Sequence, residues 1–478
     1  MHRFVLIMLL AVVASMAVTS SVTEARKRPR PPPRNTGAVT APALPALPAG
    51  WPSTLQIGSA DAPGGAAALK ATAPFGFRYQ YLAGGVNTGN GWANWNANGQ
   101  FVSYYIQDSV ANGIIPVFPY YQIRQSNPGA SQYEPDGVYN NLQNTSTMNA
   151  WFNDVKLFMQ RAGAFPDNMV VLHVEPDMWG YMEQRSTNDN ATTVPAKVSA
   201  TGLSELAGLP NTVAGLAQGV VRLRDQYAPN VVLAYHLSVW GTNYDIIYGD
   251  FTDAELDTLG TRAATFYGSL GANFDIVFTD QLDRDAGYKQ YIDGNPNAWY
   301  DANDYGKSVR FLGRFVQAAQ ERVVVWQIPL GNTKMRAMNN TWGHYQDNHV
   351  EWWFDEPART HLTDFVNAGV VAFLFGGGAG GTTCACDAMG DGVTNPAPIN
   401  GNTLVSLSAD DDGGFFDQKA GAYYSAGAMP LPGIAPLPTA TGTPTSTRTP
   451  TRTPTRTPTA TATPEMRIPR NETLVPVP

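Results

Sequence analysis

Cysteine is almost missing from this 478-residue chain: only Cys384 and Cys386 are present. Their Cys-Ala-Cys spacing allows a strained small-loop disulfide or a thiol pair, of which the disulfide is expected. With no other Cys or His at ligand spacing nearby, a zinc site is not supported there. Charge is also scarce, at 15% of residues with a net charge of -8. No basic surface is left to attract a polyanion, which excludes nucleic-acid binding. Past the N-terminal segment, no run reaches the about 18 uninterrupted apolar residues of a membrane span. Gly-x-Gly-x-x-Gly after a strand, a phosphate-loop Lys and a Gly-x-Ser-x-Gly elbow are all missing, which removes redox, kinase and esterase readings.

What the chain does have is apolar and aromatic mass: 43% hydrophobic residues, with 21 Tyr and 11 Trp. That suffices for one barrel domain of about 250 to 400 residues. Rings in such excess suit stacking on ligand faces, and carbohydrate is the expected partner. Composition divides the chain into four parts. Residues 1–25, with a basic start, an apolar run from Phe4 to Val18 and a small-residue exit near Ala25, read as a secretory signal peptide, so a secreted protein is expected. Residues 26–50 are a basic, then Pro/Ala-rich leader expected to be disordered. Residues 51–429 form the folded domain. Residues 430–478 are a Thr/Pro-rich stalk in which Thr-Arg-Thr-Pro repeats between Thr447 and Pro458, extended and suited to tethering at a cell surface.

Within the folded part, apolar runs alternate with helical stripes, the pattern of an α/β protein with a parallel (β/α)8 TIM-type barrel. Seven strands are predicted, at Phe75–Leu82, Ile114–Tyr121, Val170–Val174, Val231–Leu237, Asp275–Thr279, Val323–Ile328 and Val370–Phe375, and an eighth is hidden. Trp151, Phe152, Val155, Phe158, Met159 and Ala162 recur at helical spacing, as do Val309, Leu312, Val316 and Ala319; both stripes are read as core.

Barrel active sites lie just past the strand C-termini. There the sequence places Tyr79 and Tyr81, then Tyr120, Tyr121 and Gln122, then His173, Glu175, Asp177 and Trp179. Further on come His236 and Trp240, Asp280, and finally Trp326 and Gln327. The acidic, aromatic-walled cleft these describe fits glycoside hydrolysis, in which one carboxyl protonates the leaving oxygen and another acts as nucleophile or base. Glu175 is the expected acid, its backbone fixed by Pro176 and its proton affinity raised by Trp179. Asp280 is the expected partner, since Asp283 and Asp285 flank Arg284 and are read as its ion pairs. Asp177, Trp179, Tyr79, Tyr81, Tyr120, Tyr121, His173, His236, Trp240, Trp326 and Gln327 are expected to contact sugar.

Val174-Glu-Pro-Asp177 after an apolar strand resembles the Ile-Glu-Pro-Asp segment of the family 6 cellulases, whose barrels have seven strands. The likeness covers about ten residues, and the Arg-Asp-Cys acid motif of that family is replaced here by Pro119-Tyr-Tyr-Gln-Ile-Arg124. The Glu-Pro pair is also similar to the Asn-Glu-Pro of the retaining barrel glycosidases of the cellulase clan, with Val174 in place of Asn. The second resemblance implies an acid/base at Glu175; the first gives Asp177 a supporting role near the sugar.

Other features point less far. The glycines after Phe375 would suit a phosphorylated ligand, but acidity and export favour close approach to a neutral ligand or tight loop packing. Asp387, Asp391 and Asp410 to Asp412 sit among glycines, yet neither cluster matches a full calcium loop, so solvated turns are expected rather than calcium. His344, Asp347, His349 and Glu351 read as a substrate-contacting loop. No cofactor is expected, and a monomer is. The competing class is a barrel without catalysis that binds carbohydrate or serves the cell envelope.

Overall fold

The computed structural model describes residues 43–280, 286–291, 293–332, 347–376 and 415–433. Cys384, Cys386, Asp387, Asp391, Asp410 to Asp412, His344 and Asp283 to Asp285 lie outside them, as do the signal segment and nearly all of the stalk.

Eight parallel strands close into a barrel in chain order. They are β1 (Gln56–Ala60), β2 (Phe77–Tyr79), β3 (Ile115–Tyr120), β4 (Val170–Val174), β5 (Val231–His236), β6 (Ile276–Asp280), β7 (Val323–Pro329) and β8 (Val370–Gly376). The hidden strand is β1. Its sequence, Gln-Ile-Gly-Ser-Ala, is neither a continuous apolar run nor rich in β-branched residues, so periodicity does not reveal it. Gly58 is central because a Cβ there would stand 2.5 Å from Leu374 Cδ2 and 2.7 Å from the Phe77 carbonyl. β1 pairs with β2 on one side and β8 on the other, closing the barrel. β2 is shorter than the expected Phe75–Leu82, although Leu82 bridges Tyr120 again farther on.

The helix Thr145–Ala162 starts where the Asn144 side chain accepts the Thr147 N–H at 3.0 Å. Its six predicted stripe residues are all fully buried, each large side chain stabilising by about 1.5–3 kcal/mol. In the helix Ala302–Ala319 the buried face is turned relative to expectation. Tyr305, Ser308, Phe311, Leu312, Phe315 and Val316 are buried, while Val309 and Ala319 are only partly covered. The two Phe rings offer more apolar area and take the inward face.

Segments bordering the expected domain pack onto it. Leu44 and Leu47 lie against the core, and Arg322, just before β7, donates from Nε to the Pro45 carbonyl and from Nη2 to the Pro432 carbonyl, both at 2.7 Å. The helix Phe415–Ser425 covers β1: Tyr423 Oη donates to the Leu55 carbonyl at 2.8 Å, and Tyr424 Oη accepts the Ile57 N–H at 2.9 Å. Among the described residues no helix is long and apolar enough to cross a membrane.

Candidate active site

The strand C-termini open into a cleft of about 420 Å³, walled by Tyr81, Tyr121, Tyr133, Tyr181, Trp240, Tyr248 and Trp326. Its acidic groups are Glu134, Asp177, Asp245 and Asp280, and Lys289 is its basic side chain.

The chain leaves β4 through two residues in the left-handed region, Glu175 at φ +45° and Asp177 at φ +69°. Such geometry costs about 1–3 kcal/mol per residue and persists only where its surroundings enforce it. Its effect here is to separate the two carboxylates. Asp177 lines the cleft. Glu175 is 1% exposed and is not among the cleft-lining residues. Its carboxylate accepts the N–H groups of Gln122 and Ile123, just past β3, at 3.1 to 3.2 Å, and the Trp151 indole N–H at 2.5 Å. Burial pushes its pKa up to about 8, against the pull of those donors. The expected acid is therefore a buried carboxyl that holds the segment after β3 and stands outside the residues lining the cleft. The indole beside it is Trp151; Trp179 donates instead to the Val174 carbonyl at 2.7 Å.

Other expected contacts divide between cleft and interior. Tyr81, Tyr121, Trp240, Trp326, Gln327 and Asp280 line the cleft. Trp179 is wholly buried against Tyr235 and Phe274, and Tyr120 is buried with its hydroxyl on Asp154 at 2.5 Å, so neither lines the cleft. Tyr79, His173 and His236 are buried in a ring cluster beneath the cleft, where Trp326 lies 6.1, 4.7 and 6.1 Å from them, centroid to centroid. Tyr79 is held down by Gly376, the one described glycine of the run that directly follows Phe375: a Cβ there would meet the Tyr79 hydroxyl at 1.9 Å. Tight packing is thus the role of that glycine. Asp347 and His349, expected in a substrate loop, are buried on one another, with Nδ1 2.6 Å from Oδ1.

Trp326 and Gln327 reach the cleft through a bulge. The β7–β8 register slips between Val325 and Ile328, and Gln327 takes φ +56°. An extra residue in one strand re-aims its side chains, a device common beside active sites.

Glu134 and Asp245 were not singled out by sequence. Glu134 opens the helix Glu134–Gln143 in the connection after β3, and Asp245 lies in the loop after β5; connections that follow barrel strands are where functional groups gather. Glu134 accepts the Tyr121 hydroxyl at 2.9 Å. Asp245 is fixed by N–H donors from Ile247 and Tyr248, at 2.8 and 3.3 Å, in a loop whose carbonyls at Ile247 and Gly249 take the buried Lys307 ammonium. Its pKa is raised, first by burial and further by the charge of Asp280, while the two N–H donors and Lys307 oppose the rise. Elsewhere in the cleft lining, burial and then the charges of Asp177 and Glu134 push the Tyr121 and Tyr181 hydroxyls well up. The cleft thus has a Glu134–Asp177 group with two phenols and an Asp245–Asp280 group in electrostatic contact.

No family model and no curated protein matches the chain. The solved structures similar to it are mostly glycoside hydrolases, and the similarity is weak. An endo-1,4-beta-xylanase from Caldicellulosiruptor owensensis has 8% identity and a TM-score of 0.40, over 70% of this chain and 88% of its own. The YdhT protein from Bacillus subtilis has 14% identity and a TM-score of 0.38, over 74% of this chain and 91% of its own. Cellobiohydrolase II from Humicola insolens has 15% identity and a TM-score of 0.33, over 59% of this chain and 69% of its own. At such values the likeness says nothing about substrate.

Proposed function

We propose that the protein is a glycoside hydrolase acting on a polysaccharide or oligosaccharide, with Asp245 as general acid and Asp280 as the partner carboxylate. One observation carries this reading: Asp245 and Asp280 both line an aromatic cleft, and burial together with the Asp280 charge makes Asp245 hold its proton more tightly. Pairs of carboxyls held apart in this way divide into an acid and a base or nucleophile. Asp245 gives its proton to the glycosidic oxygen as the bond to the anomeric carbon breaks, and the leaving sugar departs as an alcohol. Asp280 either attacks the anomeric carbon or takes the proton from the attacking water. Tyr121, Tyr181, Trp240 and Trp326 supply faces for pyranose rings. Export of a monomeric enzyme to an extracellular polymer accords with the signal segment expected at residues 1–25.

The test is turnover of soluble glucan, mannan and xylan by the full chain. Asp280→Asn and Asp245→Asn should each lower kcat by about 10²–10⁴-fold with the circular dichroism spectrum unchanged. Binding of these polymers without turnover would make the barrel a carbohydrate-binding or envelope protein and end the enzymatic reading.

A further inference from the structure

Beneath the cleft floor, β4, β5 and β6 each point one polar side chain into the barrel interior. His173 Nε2 lies 3.0 Å from His236 Nδ1, with the two rings stacked at 5.1 Å. His236 Nε2 in turn faces Asp280 Oδ1 at 3.4 Å. Both histidines are 0% exposed, whereas Asp280 is 18% exposed where it enters the cleft. The 3.4 Å contact is longer than a formed N–H···O bond. Even so, neither atom has another hydrogen-bond partner, and buried polar atoms left so belong to each other. Hydrogen bonds at catalytic carboxylates are often long in the free protein and shorten when substrate binds.

The direction of the proton chain follows from its far end. His173 Nδ1 is buried without a partner, and the centroid of its ring lies 4.6 Å from that of Phe278 and 4.7 Å from that of Trp326. An orphaned buried N–H is rarer than an orphaned acceptor, so the His173 proton belongs on Nε2, where His236 Nδ1 accepts it. That leaves His236 Nδ1 as the acceptor and puts the His236 proton on Nε2, facing Asp280.

We infer that His236 is a positioning residue, oriented by His173, whose Nε2–H is aimed at Asp280 Oδ1 and keeps that carboxylate as the proton-accepting member of the pair. This rests on the glycosidase reading for its catalytic meaning, but not for its structural content. The other groups facing Asp280 are Asp245 and Tyr300, each of which feels its charge, and Lys289 in the same cleft. None of these supplies an N–H from below. Burial, then His236, pushes the His173 imidazole well below its ordinary pKa, so His173 keeps to a single-proton form through neutral pH.

Nitrogen-15 NMR of the imidazoles in the full-length wild type reads the tautomers directly, with His173→Gln and His236→Gln giving the assignment. Nε2–H on both neutral rings at pH 8 is the expected result; Nδ1–H on the neutral His236 ring overturns the inference whatever the activity. The kinetic arm compares His236→Gln, whose amide retains an N–H donor, with His236→Leu, which has none. Loss of a donor favours the protonated form of a carboxylate, so His236→Leu should move the acid limb of the kcat/KM–pH profile upward by about one pH unit. Its kcat should fall more than tenfold with KM within twofold, and His236→Gln should recover most of the loss. An unchanged acid limb in a folded His236→Leu protein also overturns the inference. A wild type with the expected tautomers but no turnover overturns the glycosidase reading and leaves the proton chain standing.

Discussion

Glu175 and Asp177 stand two residues apart and have opposite surroundings, because two left-handed backbone positions turn one carboxyl inward and the other toward the cleft. Replacing Glu175 by Gln sets an amide against the N–H donors of Gln122, Ile123 and Trp151. It should cost about 1–3 kcal/mol of stability in urea unfolding, while turnover per folded molecule stays within tenfold of wild type. A loss as large as that of Asp280→Asn would return Glu175 to the catalytic pair. Glu183 permits a test of sign. Burial, then Asp189, raises its carboxyl from 4.5 to about 8, with Arg262 opposing. Between those values the folded protein holds a proton that the unfolded chain has lost, so this group makes stability fall as pH rises from about 4.5 to about 8, with a slope of up to about 1.4 kcal/mol per pH unit. Glu183→Gln should flatten the fall of unfolding free energy across that window; a slope equal to that of wild type would refute it.

At the scale of the element, a barrel closes only if its least apolar strand fits. Gly58→Val places methyl groups against Leu374 and the Phe77 carbonyl, and overpacking of that kind costs about 1–3 kcal/mol. A lowered melting temperature is the expected readout, and an unchanged one would mean that β1 yields more easily than its contacts imply. The same strand marks how far sequence reading reaches. β3 to β8 are legible because strands buried on both faces are apolar throughout, and β4 falls where expected, Val170–Val174. β1 is not legible, because its place is set by tertiary contacts. The site divides similarly. Asp280, Asp177, Tyr81, Tyr121, Trp240, Trp326 and Gln327 are found by counting past strand ends. Strand-end position does not reveal the side to which a side chain turns, so Glu175, Trp179 and Tyr120 are expected at the cleft although the fold buries them. Asp245 lies farther along its loop and Glu134 at the start of a helix, both beyond any strand-end signal.

For the molecule as a whole, Arg322 binds the carbonyls of Pro45 and Pro432 at the N-terminal end of β7, the end opposite the cleft. Arg322→Met keeps the stem but loses both hydrogen bonds. It should raise the rate of limited proteolysis near residues 43–50 and 430–433 without altering turnover; equal digestion would show that apolar packing of Leu44, Leu47 and Leu431 suffices. Gathering both flanking strands of the polypeptide under one guanidinium works like a stem on a cup. Both described flanks therefore meet the barrel on the side away from the cleft, so a change made at that seam leaves the residues of the rim in place.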